Sequence, residues 1–362
     1  MSYFKASYQT LKSVSRMGRY EDLAAFLVLA RHANGRPPPG IAPYRLSGAG
    51  INAVHEKAAV SEETARGAIQ RLKEAEFISP ASAEARKASY SARWEIRQAE
   101  LDLDLPHLLS DSTDAMKGAL RRIRALNFQK ERRDEAFAPL SDSELQLDVL
   151  MTLLAIYRHT SMTRYGGLSP LCSYRSWTVH SRTEKSGGMR WGAEPETLQT
   201  FLVFMGECIV RSADEKPKAL TEAQKKRFWL ALDKLQHLGL IYEAVSLFDV
   251  DPAKNNSAQL LCTLRVNDYH AGSAGANGDP SLLRALETDY GAKYSFYTHA
   301  ANDRGEPEAM WLILPKTMTG TLTGVWRPRF RTANMDTGSW FAADSSNVDA
   351  VFRAIVEADD DV

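Results

Sequence analysis

The sequence predicts a helix-rich α+β protein in which helices closed by a β-hairpin occur twice, followed by a small C-terminal α+β appendage. Three observations lead there. Apolar residues recur at helical spacing in both halves of the chain. Each set of helices runs into two strand-like segments separated by a polar turn. A Gly/Ala/Ser-rich stretch, AGSAGANGD, then sets the last segment apart as by a linker.

Residues 1–20 form a basic arm or first helix, with Tyr3, Phe4, Tyr8 and Leu11 at helix-like spacing. The first module covers 21–100. In YEDLAAFLVLARHA, Leu23, Phe26, Leu27 and Ala30 fall at i, i+3, i+4 and i+7, which predicts a core-facing helix that Asn34-Gly35 stops. The prolines of RPPPGIAP forbid helix. Leu46-Ser47 opens a short helix carrying Ile51, Val54 and Ala58, and Ala59-Val60 makes the turn. Ser61 caps the next helix, TARGAIQRLKEA, which buries Ala65, Ala68, Ile69 and Leu72. Glu62 and Glu63 in its first turn suit the helix dipole. Phe77-Ile78 begins a strand, 80–90 is a polar hairpin loop, and ARWEI returns.

Residues 101–140 read as a connector. LDLDLP alternates as a strand up to Pro106, and a long helix runs from Asp114 to Phe137 with Met116, Leu120 and Ile123 on one face. Lys117, Arg121, Arg122, Arg124, Lys130, Arg132 and Arg133 stand there against one acid, Glu131, as a solvated helix or a phosphate-tracking one.

The second module covers 141–270. Helices are predicted over 145–160 and over the apolar run ETLQTFLVFMGECIV at 196–210. Thr221 and Gln224 make a capping box, Phe228, Leu232, Leu235 and Leu238 line one face, and Gly239 ends the helix. Leu240 to Val250 is a strand, Asp251 to Ser257 a turn, and QLLCTLRV the return. An insertion occupies 161–194, a linker 271–280, and the appendage 281–362, with strands in MWLILP and TLTGVWRPRFRT and a helix before an acidic tail.

The chain of 362 residues holds 45 Lys and Arg and 45 Asp and Glu, but unevenly. Residues 1–100 carry 15 basic and 10 acidic side chains, whereas 271–362 carry 8 and 13. A basic front and an acidic tail fit local contact with a polyanion. No run of 18 apolar residues predicts a membrane span, and the first residues lack the apolar core of a signal peptide. Cys172, Cys208 and Cys262 are odd in number and far apart, which fits a reducing, cytoplasmic compartment.

The framework "LS…A…VS..T….I..L…..I" over roughly 20–100 resembles that of bacterial winged-helix regulators, and LQHLGLIY within 145–267 matches it more closely. Glu76 departs from the pattern, standing where many such sequences place glycine before the strand. Tandem winged-helix domains (a helix-turn-helix plus a β-hairpin wing) resemble plasmid and phage replication initiators of the Rep type. The resemblance implies double-stranded DNA as partner, gripped in successive major grooves, a role in replication initiation or transcription regulation, nucleoid association, and no cofactor. A homodimer and protein partners through the C-terminal region remain open. So does a different class: tandem winged helices also resemble interaction modules of chromosome-organising and defence complexes, which zero net charge and Glu62/Glu63 favour.

On this reading Thr64, Arg66, Gln70 and Arg71 face the groove, where Arg and Gln make bidentate bonds to base edges. Arg86, Lys87 and Arg93 lie on or beside the wing, against phosphates. Lys225, Lys226 and Arg227 open the second recognition helix. In the insertion, Arg164, Arg175, Arg182, Lys185 and Arg190 alternate with Tyr165, Tyr174, Trp177 and Trp191, a mixture suited to backbone neutralisation and stacking. Arg327, Arg329 and Arg331 share a strand face as a further phosphate stripe. No metal-ligand spacing, phosphate-cradling loop or nucleophile elbow occurs, so the chain does not read as an enzyme.

Overall fold

The computed structural model describes residues 3–33, 44–88, 92–98, 100–106, 118–182, 198–210, 221–267, 309–315 and 320–329, with isolated positions at 339, 343, 346, 347 and 350. It is a mixed α+β protein of two units. One comprises Met1–Arg158, Thr221–Leu240 and Phe330–Thr332, and the other His159–Leu220, Ile241–Arg329 and Ala333–Val362. The second module expected over 141–270 is therefore divided between them.

In the first unit, β1 (Tyr3–Ala6) precedes α1 (Tyr8–Ser15), and Ser7 caps the helix by accepting the Thr10 amide. The expected arm is thus a strand and a helix, and both are tied down. α2 (Tyr20–Arg31) is buried without a break from Asp22 to Ala30. β2 (Tyr44–Ser47), α3 (Ile51–Ala58), α4 (Glu62–Glu74), β3 (Ile78–Pro80), α5 (Ala83–Ala88) and β4 (Trp94–Arg97) follow. β5 (Leu103–Pro106) pairs antiparallel with β1, Tyr3 opposite Pro106 and Ala6 opposite Leu103. β2, β4 and β3 form a three-stranded antiparallel sheet in that order.

Two expectations fail locally. Leu46-Ser47 belongs to β2, not to a helix, because Leu46 pairs with Glu95 and the chain turns helical only after Gly48-Ala49-Gly50. The loop at 80–90 contains α5, since Ser82 accepts the Ala85 amide and good helix formers follow it. At the end of α4, Glu76 adopts φ 60°, while Phe77 and Glu76 donate to the Leu72 and Lys73 carbonyls. That is a Schellman C-cap with glutamate in the left-handed position that glycine usually fills.

After β5, the described residues of the connector hold α6 (Ala119–Arg124) and a 3₁₀ turn at Glu131–Arg133, not one helix running on to Phe137. Asn127 interrupts the expected helix by accepting the Gln129 amide in an Asx turn. Four of the basic residues there bind the protein itself, while Lys117 lies outside the described residues. Arg121 donates twice to the Glu56 carbonyl, Arg122 to the Leu238 carbonyl, Arg124 pairs with Glu21, and Arg132 with Asp142. α7 (Asp142–His159) then spans the helix expected at 145–160.

The second unit contains β6 (Thr160–Ser161), α8 (Met162–Tyr165), β7 (Gly167–Leu168), β8 (Ser173–Arg182) and β9 (Leu198–Val210). β9 replaces the helix expected at 196–210. A short apolar run rich in Phe and Val satisfies either period, and pairing with β8 decides it. The chain next contributes α9 (Glu222–His237) to the first unit, opened by the Thr221/Gln224 capping box and closed at Gly239 with φ 65°. β10 (Ile241–Phe248) and β11 (Leu260–Asn267) form the expected hairpin around the turn at 251–257. β12 (Ala309–Pro315) and β13 (Thr321–Pro328) complete a six-stranded sheet ordered β11-β10-β13-β8-β9-β12. β13 lies along the whole length of β10, from Ile241 opposite Pro328 to Phe248 opposite Thr321. Of the two strands expected in an appendage, β13 is thus internal to this sheet and β12 ends it, and β10 is buried at every position. The linker at 271–280 lies outside the described residues.

Candidate nucleic-acid interface

The first unit carries an exposed helix face. α4 buries Ala65, Ala68, Ile69 and Leu72 toward the core. Its opposite side presents Arg66, Gln70 and Lys73 at i, i+4 and i+7, all exposed. Among the described residues, Arg66 and Lys73 make no side-chain hydrogen bond or ion pair, whereas Gln70 donates to Glu74 at 2.8 Å. Glu62 and Glu63 are exposed in the first turn, so the face is mixed in charge. Lys73 was not among the sequence candidates. Its spacing from Arg66 and Gln70 is the signal that finds it.

Two other α4 candidates serve the fold. Thr64 is held in the cap, with its amide 3.1 Å and its hydroxyl 2.8 Å from Ser61 Oγ. Arg71 does not face the groove side. It turns back to the fully buried Asp22 of α2, reaching it at 2.7 Å. In the β3–β4 hairpin, Arg86 is exposed on α5, the side chain of Lys87 lies outside the described residues, and Arg93 and Arg97 are exposed.

Lys225, Lys226 and Arg227 all lie at the start of α9. Each cation is engaged by an acid. Lys225 meets Glu222 at 2.7 Å, Lys226 meets Asp134 at 3.0 Å, and Arg227 forks onto both oxygens of Asp148 at 2.7 Å. The bond from Asp148 raises Arg227 still further above its high ordinary pKa. The Ala136 amide and then the Lys226 ammonium hold Asp134 below the usual carboxylate range. Lys234 adds a pair with Glu131 at 2.5 Å. Three adjacent cations in sequence gave no hint of Asp134 and Asp148, which lie 92 and 79 residues away.

The insertion also departs from expectation. Arg175 is only 2% exposed and lies 3.5 Å from the equally buried Glu243, with its guanidinium 5.3 Å from the centre of the Trp326 ring. Burying that guanidinium requires a fixed counter-charge, which Glu243 supplies. Arg164 is exposed but bonds the Asn256 carbonyl and stacks over Tyr165, and Tyr165 and Tyr174 are themselves buried. Arg182 ends β8 with its side chain outside the described residues, as are Lys185, Arg190 and the side chains of Trp177 and Trp191. The stripe on β13 fails too. Arg327 is fully buried, bonded to the Gly166 carbonyl and to Thr263 Oγ1, and Arg329 is buried beside it. Arg331 is not described.

Cys172 and Cys262 are free thiols, and burial pushes Cys172 up. Among the described residues, no three His, Cys, Asp or Glu side chains gather where they could hold a metal, and no helix is long and apolar enough to cross a membrane. Comparison of the chain with family models, with curated proteins and with solved structures finds no match.

Proposed function

We propose that residues 20–98 form a single winged helix that binds duplex DNA, in a protein of the replication-initiator or transcription-regulator kind. The order helix, strand, helix, helix, hairpin, with a sheet ordered β2-β4-β3, supports that reading. The observation that carries it is the face of α4: Arg66, Gln70 and Lys73 line one exposed stripe, and the two cations have no partner among the described residues. α4 enters the major groove, Arg66 and Gln70 meet base edges, and Arg86 and Arg97 on the hairpin meet phosphates. The reading is not extended to α9, where each of the three cations is already paired with an acid.

The test is affinity for duplex DNA across a salt series. Replacing Arg66 and Lys73 with Ala should weaken binding and shallow the salt slope by about one unit per lost phosphate contact. Replacing Lys225, Lys226 and Arg227 should leave the slope of the folded protein unchanged. Unchanged binding in the Arg66/Lys73 variant rejects docking through α4.

The acid-paired α9 favours a second reading, in which the rest of the chain works through protein contacts. A partner retained after nuclease treatment would support it.

A further inference from the structure

We propose that a cavity in the first unit, at the junction of β2, α3 and β4, binds a phosphate group. The cavity measures about 510 Å³ and is lined by Gly48, Ala49, Gly50, Asn52, Arg93 and Trp94 among others, none of them acidic. Three features of its wall call for an anion.

The first is Arg93. Its side chain is exposed and makes no ion pair or hydrogen bond with any of the described residues. The guanidinium lies over Gly50, so close that a Cβ there would collide with it. The second is where Gly50 stands. Strand β2 runs through Gly48-Ala49-Gly50 into α3, and Gly50 is the N-cap, with no side chain accepting from the first-turn amides. A cation therefore rests on the positive end of a helix, an arrangement that repels itself until an anion lies between them. The third is Trp94. Its ring lines the cavity, and its indole Nε1 has no hydrogen-bond partner among the described residues.

A phosphate satisfies all three through the chemistry of its oxygens. Two can take the guanidinium fork and others the α3 amides, with the Trp94 ring beside them. The glycines let backbone approach closely, as at other phosphate loops that precede a helix. The cavity exceeds what one phosphate needs, so it has room for the sugar or base attached to it. That phosphate can belong to a DNA backbone or to a free nucleotide. The proposal does not depend on DNA docking by α4.

The probe is the indole N–H resonance of Trp94 in tryptophan-labelled full-length protein, assigned with Trp94→Phe. Inorganic phosphate, a deoxynucleoside monophosphate and a short duplex are titrated separately. A saturable shift is expected, and Arg93→Ala should weaken it about tenfold or more. Gly50→Asp puts a carboxylate where the phosphate would sit. It should abolish the response, because its carboxylate takes the guanidinium and the first-turn amides for itself. Tighter binding of the mononucleotide than of phosphate identifies a free ligand, and a shift with duplex alone identifies backbone phosphate. No shift with any of the three probes, or a shift that survives Arg93→Ala, overturns the site. A duplex that binds while Trp94 stays silent removes the cavity and leaves the α4 reading intact.

Discussion

Arg71 of α4 holds Asp22 of α2 with a forked pair, Nη2 and Nε lying 2.7 and 2.9 Å from Oδ1 and Nε 3.2 Å from Oδ2. Asp22 is fully buried, whereas the Arg71 side chain keeps 31% of its exposure. The bond ties the exposed helix to the buried one, so it fixes how far α4 stands from the core.

Breaking this pair from the Arg71 side leaves a carboxylate buried without a counter-charge. Arg71→Ala should cost roughly 3 kcal/mol of stability, measured by urea unfolding, because single-sided loss of a buried pair is the expensive case. Arg71→Lys should recover only part, since an ammonium cannot fork. Asp22→Asn in the Arg71→Ala background should restore stability relative to Arg71→Ala alone. Equal stability of Arg71→Ala and the native chain would mean that Asp22 finds another partner.

Glu76 offers a gain instead of a loss. It is an exposed residue at φ 60°, closing the same C-cap that Gly239 closes after α9 at φ 65°. Left-handed backbone costs a residue with a Cβ about 1–2 kcal/mol, part of which glycine returns as unfolded-state entropy. Glu76→Gly should therefore raise stability by up to about 1 kcal/mol, and Glu76→Val should lower it, since a β-branched side chain tolerates that region poorly. The thermal midpoints of the two variants check both signs.

Glu76 also shows what the sequence made legible. A glutamate stood where glycine was expected, and the backbone there is left-handed all the same. Local signals of this kind transferred well: the Ser61 and Thr221 caps, the helical period of α4 and the hairpin around 251–257 all depend on neighbours a few residues apart. What did not transfer depends on distance. The partners of Arg175 and Arg227 lie 68 and 79 residues away in the chain, and no periodicity announces a carboxylate across a sheet or between helices. β9 was unreadable for a different reason. An apolar run carries no face, so only the strands on either side of it select extended backbone. Arginines spaced through an aromatic segment looked like an anion surface, yet the same composition buries Arg175 against Trp326 and lays the exposed Arg164 over Tyr165.

The acids around α9 make its stability pH-dependent. Burial raises Glu131, but the bonds from Lys234 and its own amide outweigh it and leave the group lowered. Asp134 is lowered by the Ala136 amide and Lys226, and Glu144 by the Ser141 amide and hydroxyl. A carboxylate with a folded-state pKa below its unfolded value stabilises above the unfolded value and loses that contribution as pH falls through the folded one. The window thus opens near pH ~4 and extends downward. Arg227 is raised, so its own contribution persists through this range. Amide exchange within Glu222–His237 should accelerate as pH falls through the window, after correction for the intrinsic pH dependence of exchange. Glu131→Gln combined with Asp134→Asn should protect α9 less at neutral pH and flatten its acid response, so that variant and native chain converge at the acid end. If the variant kept the full acid response, other carboxylates would be its source and the pairs at Lys226 and Lys234 would not hold the helix.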